Sequence, residues 1–280
     1  MRPDVRAQAP EMPFDTDQVI ALARAAGQAV LAVYDRDFGV QEKADNSPLT
    51  EADLASHRLI VDGLTALTPD IPVLSEESAA IPYATRRGWQ RYWLVDPLDG
   101  TKEFVKRNGE FTVNIALVED GVPVFGVVHV PVSGVTYVGQ AGRGAFRIDP
   151  DDSRHELRVA PRRQRPVRVV GSRSHAGPDL QAFLGRVGEH EMVSMGSSLK
   201  LCLVAEGRAD IYPRLGPTSE WDTAAAQAVV EAAGGRVTDT ELRPLRYNTK
   251  ESLLNPYFLV YGDPTEDWSA YLTPVAEART

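Results

Sequence analysis

Tyr92-Trp93-Leu94-Val95-Asp96-Pro97-Leu98-Asp99-Gly100-Thr101-Lys102-Glu103-Phe104 reads as an apolar strand that delivers two carboxylates, three residues apart, into a Gly-Thr turn. Pro97 stiffens the backbone between the two acids. Carboxylates at a strand end repel each other unless positive charge lies between them, and hard cations such as Mg²⁺ are held by a few carboxylates together with phosphate oxygens. The spacing therefore points to a metal. Gly100-Thr101 is expected to open a helix, whose first N–H groups favour an anion such as phosphate. On this stretch alone the plainer alternative, a turn with an acidic helix cap, stays open.

Outward from this stretch, short β-rich runs at 73–74, 112–118, 124–130 and 135–138, separated by Gly and Pro turns, predict consecutive strands of a mainly antiparallel sheet. Upstream, Val19, Ile20, Leu22, Ala23, Ala26, Val30, Leu31 and Tyr34 recur at helical spacing over 16–34, behind acidic N-cap candidates at 15–17. A second helix is predicted from 50 to 67, with Thr50 and Asp53 forming a capping box. Downstream, strands at 167–170 and 210–212 alternate with helices at 178–187, 197–206 and 222–233. Between Arg154 and Arg173 lie seven arginines, one acid (Glu156), Pro161 and Pro166, a composition read as an interdomain connection. The expected organisation is an N-terminal α+β domain, 1–155, and a smaller α/β domain, 156–280.

Composition bounds the function. Hydrophobic residues at 43% and charged residues at 25% are those of a globular protein and exclude disordered, collagen-like and coiled-coil chains. The longest apolar stretches, 113–118 and 122–132, are interrupted by Asn114, Pro123, His129 and Pro131, and fall short of the roughly 18 residues of a membrane span. The N-terminus, Met1-Arg2-Pro3-Asp4, does not read as a secretory signal, and a cytoplasmic location is expected. The single cysteine, Cys202, sits among Leu201, Leu203 and Val204 and is expected to be a buried small hydrophobe. A net charge of −9 argues against nucleic-acid and anionic-membrane partners, so an anionic substrate requires local cations.

Two further clusters supply acids. Leu74-Ser75-Glu76-Glu77-Ser78 places carboxylates after a short strand, and Ser219-Glu220-Trp221-Asp222-Thr223 places Asp222 in the first turn of an alanine-rich helix. Taken singly, Glu77 and Glu220 read equally as solvated or capping groups and Asp222 as an N-cap. Together with Asp96 and Asp99 they suggest a multi-metal site.

The ordered set Pro48-x-Thr50-x-x-Asp53, Glu76-Glu77, Asp96-Pro97-Leu98-Asp99-Gly100-Thr101 and Trp221-Asp222 resembles the Mg²⁺-dependent, lithium-sensitive inositol monophosphatase superfamily over roughly residues 16–262. The stretches 91–116 and 196–207, with Tyr212-Pro213-Arg214, Gly216-Pro217-Thr218 and Asn255-Pro256, resemble its CysQ-type 3′(2′),5′-bisphosphate nucleotidases. The resemblance implies the layered αβαβα sandwich of the inositol monophosphatase and fructose-1,6-bisphosphatase type, and two or three Mg²⁺ ions. It implies that Glu76, Asp96 and the Leu98 carbonyl hold one ion and Asp96, Asp99 and Asp222 a second. Thr101 and Asp53 then orient the attacking water, alongside Glu76.

The implied substrate is 3′-phosphoadenosine 5′-phosphate, cleaved to AMP and phosphate in sulfur assimilation. Gly100, Thr101, Ser172, His175, Ser197, Lys200, Arg214 and Asp222 are the implied substrate contacts, with Arg173 beside them. His175 reads equally as a loop residue, and Lys43 as either a site-facing charge or a strand-end lysine. Met1 to Phe14 and the tail after Asp263 lack counterparts in the family pattern and are expected to be mobile.

Other leads are weaker. Gly139-x-x-Gly142-x-Gly144 has the wrong glycine order for a dinucleotide fingerprint and reads as turns. The histidines at 57, 129, 155, 175 and 190 lack zinc spacing. Two alternatives remain: a broad inositol or sugar phosphate phosphatase with the same metal core, and an RNA-binding protein on an inactive phosphatase fold that uses the arginine-rich stretch.

Overall fold

The computed structural model describes residues 12–36, 39–42, 48–161, 166–171 and 177–272. Helix α1 (Thr16–Tyr34), a small hairpin of β1 (Val40–Glu42) and β2 (Pro48–Thr50), and α2 (Glu51–Leu67) come first. A seven-stranded sheet then runs in sequence order through β3 (Val73–Ser75), β4 (Arg91–Asp99), β5 (Thr112–Glu119), β6 (Val122–His129), β7 (Thr136–Gln140), β8 (Gly144–Ile148) and β9 (Arg154–Glu156). Only the β3–β4 pair is parallel. Short helices α3 (Tyr83–Arg86) and α4 (Thr101–Val105) flank β4.

The second half contributes β10 (Val167–Gly171), α5 (Pro178–Val187), β11 (His190–Ser194), α6 (Leu199–Ala205), β12 (Ile211–Arg214), α7 (Glu220–Ala232), β13 (Arg236–Asp239) and β14 (Phe258–Tyr261). Its five strands are ordered β11-β10-β12-β14-β13.

Period-two alternation sorts these elements into layers. On β4 and β5, Trp93, Val95, Val113, Ile115 and Leu117 face one core with Val19, Ala23, Ala26, Ile60 and Leu64 of α1 and α2. Tyr92, Leu94, Ala116 and Val118 face the other, with α6, α7 and the inner face of the five-stranded sheet (Val170, Tyr212, Val237, Val260). The outer face of that sheet, through Val167, Val169, Ile211 and Leu259, packs on Phe183 and Leu184 of α5 and on Trp268. The result is the αβαβα stack. Each such large side chain stabilises by roughly 1.5–3 kcal/mol when fully buried. A one-residue slip of β4 exchanges its two faces and moves Asp96 to the wrong side of the sheet.

Local chemistry sets the ends. Asp15 caps α1 by accepting from the Asp17 N–H, and Thr50 with Asp53 forms the predicted capping box on α2. α7 lies directly on the seven-stranded sheet because Gly126 and Gly139 leave room for it: a Cβ at Gly126 would stand 2.2 Å from the Ala225 carbonyl, and one at Gly139 2.4 Å from the Val229 Cα. Of the glycine run expected to form turns, only Gly142 lies in one, the β7–β8 turn at 141–143; Gly139 lies within β7, where it serves packing, and Gly144 opens β8.

Several expectations are refined. The arginine-rich stretch begins as strand β9, an exposed edge whose polar residues hide its pairing with β8. Its described arginines are largely neutralised, Arg154 by Asp17, Arg158 by Glu156 and Arg168 by Asp210. Phe14, expected in a mobile extension, packs its ring 4.9 Å from Trp93 and 5.7 Å from Phe125. Trp268, in the expected mobile tail, is fully buried against Tyr261 and Tyr271. Aromatic burial outweighs chain entropy at both places. Cys202 is buried, as expected. Among the described residues no helix is long and apolar enough to cross a membrane.

Candidate active site

The acids converge where β4 ends. Between Asp96 and Asp99 the β4–β5 register shifts, so both carboxylates leave the ladder on one side. α7 brings Asp222 to them from the opposite half of the chain, and carboxylate oxygens of Asp96, Asp99 and Asp222 lie within 4.8 Å of one another. The single 3₁₀ turn after β3 (Glu76–Ser78) adds Glu76 beside Asp96.

This grouping is electrostatically uncomfortable. Burial raises the Asp96 carboxyl well above its ordinary range, and Glu76, Asp99 and Asp222 raise it further. Burial and then Asp99 push Asp222 up to about 8. Asp96 Oδ1 accepts the Leu98 N–H at 3.0 Å, and no ammonium or guanidinium among the described residues pairs with Asp96, Asp99 or Asp222. An oxygen-only, strongly acidic donor set, with Asp96 buried and Asp99 and Asp222 partly exposed, suits a hard divalent cation, which would reverse these shifts. The cluster can hold a metal.

The neighbours fix each acid. Asp99 Oδ2 accepts from Ser198 at its backbone N–H (2.5 Å) and its hydroxyl (2.6 Å), with Thr112 and Asn114 at 3.4 Å. Ser198 Oγ also lies 2.7 Å from the Asp222 carbonyl and 2.8 Å from Asn114 Nδ2, so one serine links β4, β5, α6 and α7. Asp222 Oδ2 accepts the Ser219 N–H at 2.9 Å, which makes Asp222 the third residue of a capping box and Ser219 the cap. Asn255 holds the same turn, donating to the Ser219 carbonyl at 2.8 Å and Thr223 Oγ1 at 3.0 Å.

Asp53 and Thr101 meet as expected. Thr101 Oγ1 is placed to donate to Asp53 Oδ1 at 3.4 Å or to the Leu98 carbonyl at 3.2 Å, while Asp53 Oδ2 accepts from the Thr50 N–H and hydroxyl at 2.8 and 2.7 Å. Ser56 anchors the intervening bulge by donating to the Pro97 carbonyl at 2.7 Å.

Beside the acids lies a cleft of about 220 Å³ lined by Lys102, Glu103, Ser197, Lys200, Tyr212 and Arg214, with Asp99, Gly100 and Asp222 at its inner end. Ser197, at φ 44°, and Gly100, at φ 91°, shape its floor. The Lys200 ammonium stands 5.7 Å over the Tyr212 ring and makes no hydrogen bond or ion pair among the described residues; burial lowers its pKa. Arg214 donates to the Pro217 carbonyl at 2.8 Å and keeps a buried Nε without a partner. Two larger grooves, of about 510 Å³ between α1 and α2 and about 460 Å³ beside β7 and β8, contain no carboxylate cluster.

The Inositol monophosphatase family model matches residues 14–271. The chain belongs to the inositol monophosphatase family. It is 55% identical over 246 residues to the 3′(2′),5′-bisphosphate nucleotidase CysQ of Escherichia coli (strain K12), covering 87% of this chain and 98% of that protein. The crystal structure of CysQ from Bacteroides thetaiotaomicron superposes with a TM-score of 0.78 at 43% identity, covering 90% of this chain and 99% of that one. An inositol monophosphatase from Anabaena (Nostoc) sp. PCC 7120 matches at TM-score 0.72 and 26% identity, over 92% and 96%. Within the family the chain is of the CysQ type.

Asp53, Glu76, Asp96, Leu98, Asp99, Gly100, Thr101, Ser197, Lys200, Arg214 and Asp222 therefore gather in one region of the molecule. Ser172 and His175, with Arg173 and Lys43, lie outside the described residues. Sequence reasoning missed Ser198, Asn114, Thr112 and Ser56. Asn114 left a trace, a polar residue inside the apolar run of β5.

Proposed function

We infer that the chain is a 3′(2′),5′-bisphosphate nucleotidase that removes the 3′-phosphate of 3′-phosphoadenosine 5′-phosphate. The observation that carries this reading is a cationic cleft opening directly onto a carboxylate cluster. Charges of opposite sign side by side suit a substrate with two phosphates, one cleaved and one held. The CysQ-type relatives supply the nucleotide class.

Glu76, Asp96 and the Leu98 carbonyl are the proposed holders of one Mg²⁺, and Asp96, Asp99 and Asp222 of a second, with room in the proposal for a third. Bound there, the ions supply Lewis-acid neutralisation of charge on the phosphate and the leaving oxygen. The protein does the positioning. Asp53, locked by its two bonds to Thr50, accepts a hydrogen bond from the Thr101 hydroxyl, which turns the threonine lone pairs toward a water. That water forms a bond to phosphorus, the bond from phosphorus to the 3′ oxygen breaks, and a proton ends on that oxygen, giving AMP and inorganic phosphate. Lys200 and Arg214 hold the 5′-phosphate with charge-assisted bonds, Lys200 from an ammonium left without a polar partner.

The same reading assigns inhibition by Li⁺ and a role in sulfur assimilation. The single, buried Cys202 supports a reducing, cytoplasmic setting. The test is phosphate release from 3′-phosphoadenosine 5′-phosphate, its sulfated precursor and inositol 1-phosphate under equal Mg²⁺. The bisphosphate is expected to give the highest kcat/KM, and inositol 1-phosphate equalling or exceeding it refutes the assignment.

A further inference from the structure

One side chain in the cleft does not belong to a phosphate subsite. Glu103, from α4, lines the same cavity as Lys102, Lys200 and Arg214, and it is the one carboxylate there outside the metal cluster. It is half-buried and makes no side-chain hydrogen bond or ion pair among the described residues. An anion in a subsite for anions weakens phosphate binding by repulsion unless a donor stands between the two.

Packing holds Glu103 in place. A Cβ built on Gly196 would stand 2.9 Å from the Glu103 Cγ, and one on Gly100 3.5 Å from its Oε2, so the side chain lies between two positions that have no side chain of their own. The backbone on either side is fixed as well. The Gly196 N–H donates to Glu110 Oε2 at 2.8 Å, and Gly100 leads directly from Asp99 into α4. The Glu103 carboxylate therefore sits at the inner, metal-facing end of the cleft, within electrostatic reach of Lys200.

We propose that Glu103 accepts a hydrogen bond from the ribose hydroxyl adjacent to the scissile phosphate, and so selects ribonucleotide over deoxyribonucleotide bisphosphates. This rests on the nucleotidase reading and adds which part of the nucleotide the carboxylate recognises. An ionised carboxylate offers acceptors only, so its partner on the substrate must be a donor. On a 3′-phosphorylated ribose the donor nearest the reacting phosphorus is the 2′-hydroxyl, and on the 2′-phosphorylated isomer it is the 3′-hydroxyl. A carboxylate at the inner end of the cleft thus serves either isomer, whereas an outer position would favour a donor on the base. The hydroxyl replaces solvent at Glu103 when the cleft is filled.

A hydrogen bond to a charged group is worth a factor of about ten to a hundred. The unmodified, Mg²⁺-loaded protein is expected to cleave adenosine 3′,5′-bisphosphate with at least tenfold higher kcat/KM than 2′-deoxyadenosine 3′,5′-bisphosphate. Glu103→Gln, which keeps shape and removes charge, is expected to bring that ratio below about threefold, with the loss confined to the ribonucleotide and expressed mainly in KM. The deoxynucleotide rate in the same variant reports folding and metal binding. No preference in the unmodified protein, or an equal fall on both substrates in Glu103→Gln, overturns the inference while leaving the nucleotidase reading in place. Failure of the unmodified protein to cleave the ribonucleotide at all overturns both.

Discussion

Lys200→Met separates recognition from chemistry. The ammonium lies in the cleft, over Tyr212, with no polar partner among the described residues, and burial already disfavours its charge. Methionine retains most of the stem's packing and removes the charge. If Lys200 holds the 5′-phosphate, the lost charge-assisted contact is worth about 1.5–3 kcal/mol, or roughly a ten- to hundredfold fall in kcat/KM for 3′-phosphoadenosine 5′-phosphate. Inositol 1-phosphate has no second phosphate, so its turnover, however slow, is expected to change less than about threefold. Thermal unfolding supplies the control, because removing a half-buried charge without a partner leaves Tm unchanged or raises it. The assay is phosphate release on both substrates at saturating Mg²⁺, with Tm measured on the same preparations. Equal losses on the two substrates, or a marked fall in Tm, refute the reasoning and make Lys200 a structural residue.

Asp96→Asn is expected to reduce turnover to below a tenth of the unmodified rate and to raise the Tm of metal-free protein, since Glu76, Asp99 and Asp222 all act against its ionised form; activity assays and calorimetry in EDTA check both. Ca²⁺ in excess over Mg²⁺ is expected to inhibit, because the larger ion accepts oxygen ligands in a looser geometry; an unchanged rate argues against a hard-cation site. His129, lowered to about 4 by burial and then by Arg24, stays neutral in the fold while the unfolded chain takes up its proton near pH 6.5. Its contribution is therefore complete above about pH 6.5 and lost as pH falls toward about 4, on the order of 3 kcal/mol. Urea unfolding at pH 7.5 and pH 5 is expected to show a smaller acid-side decline in His129→Gln.

What could be read from the sequence followed periodicity and capping. α1 and α2 were legible because their apolar stripes and the Thr50–Asp53 box are local signals, and β4 because four apolar or aromatic residues, Tyr92 to Val95, lead into two acids. β9 and β11 were not, since their residues are mostly exposed at sheet edges and carry no alternation. β14, Phe258–Tyr261, is four apolar residues buried on both faces, too short a run to be told from other apolar segments by period alone. In the site, the carboxylates announced themselves by type and spacing. Ser198 could not, because its importance lies in joining Asp99 to the Asp222 carbonyl across 99 and 24 residues of chain. Glu103 was quoted within the decisive stretch, yet only the cleft reveals that it lies beside the cations.

The central claim is that carboxylates from both halves of the chain assemble a metal-dependent site that cleaves a nucleotide 3′-phosphate. Its most direct test is to strip the full-length protein with EDTA, add 3′-phosphoadenosine 5′-phosphate, titrate Mg²⁺ and resolve the products by chromatography. The account predicts no turnover without metal and, on Mg²⁺ addition, one equivalent of phosphate for each AMP formed. Release of phosphate that is indifferent to chelation and Mg²⁺, or adenosine 3′-phosphate as the product, contradicts it.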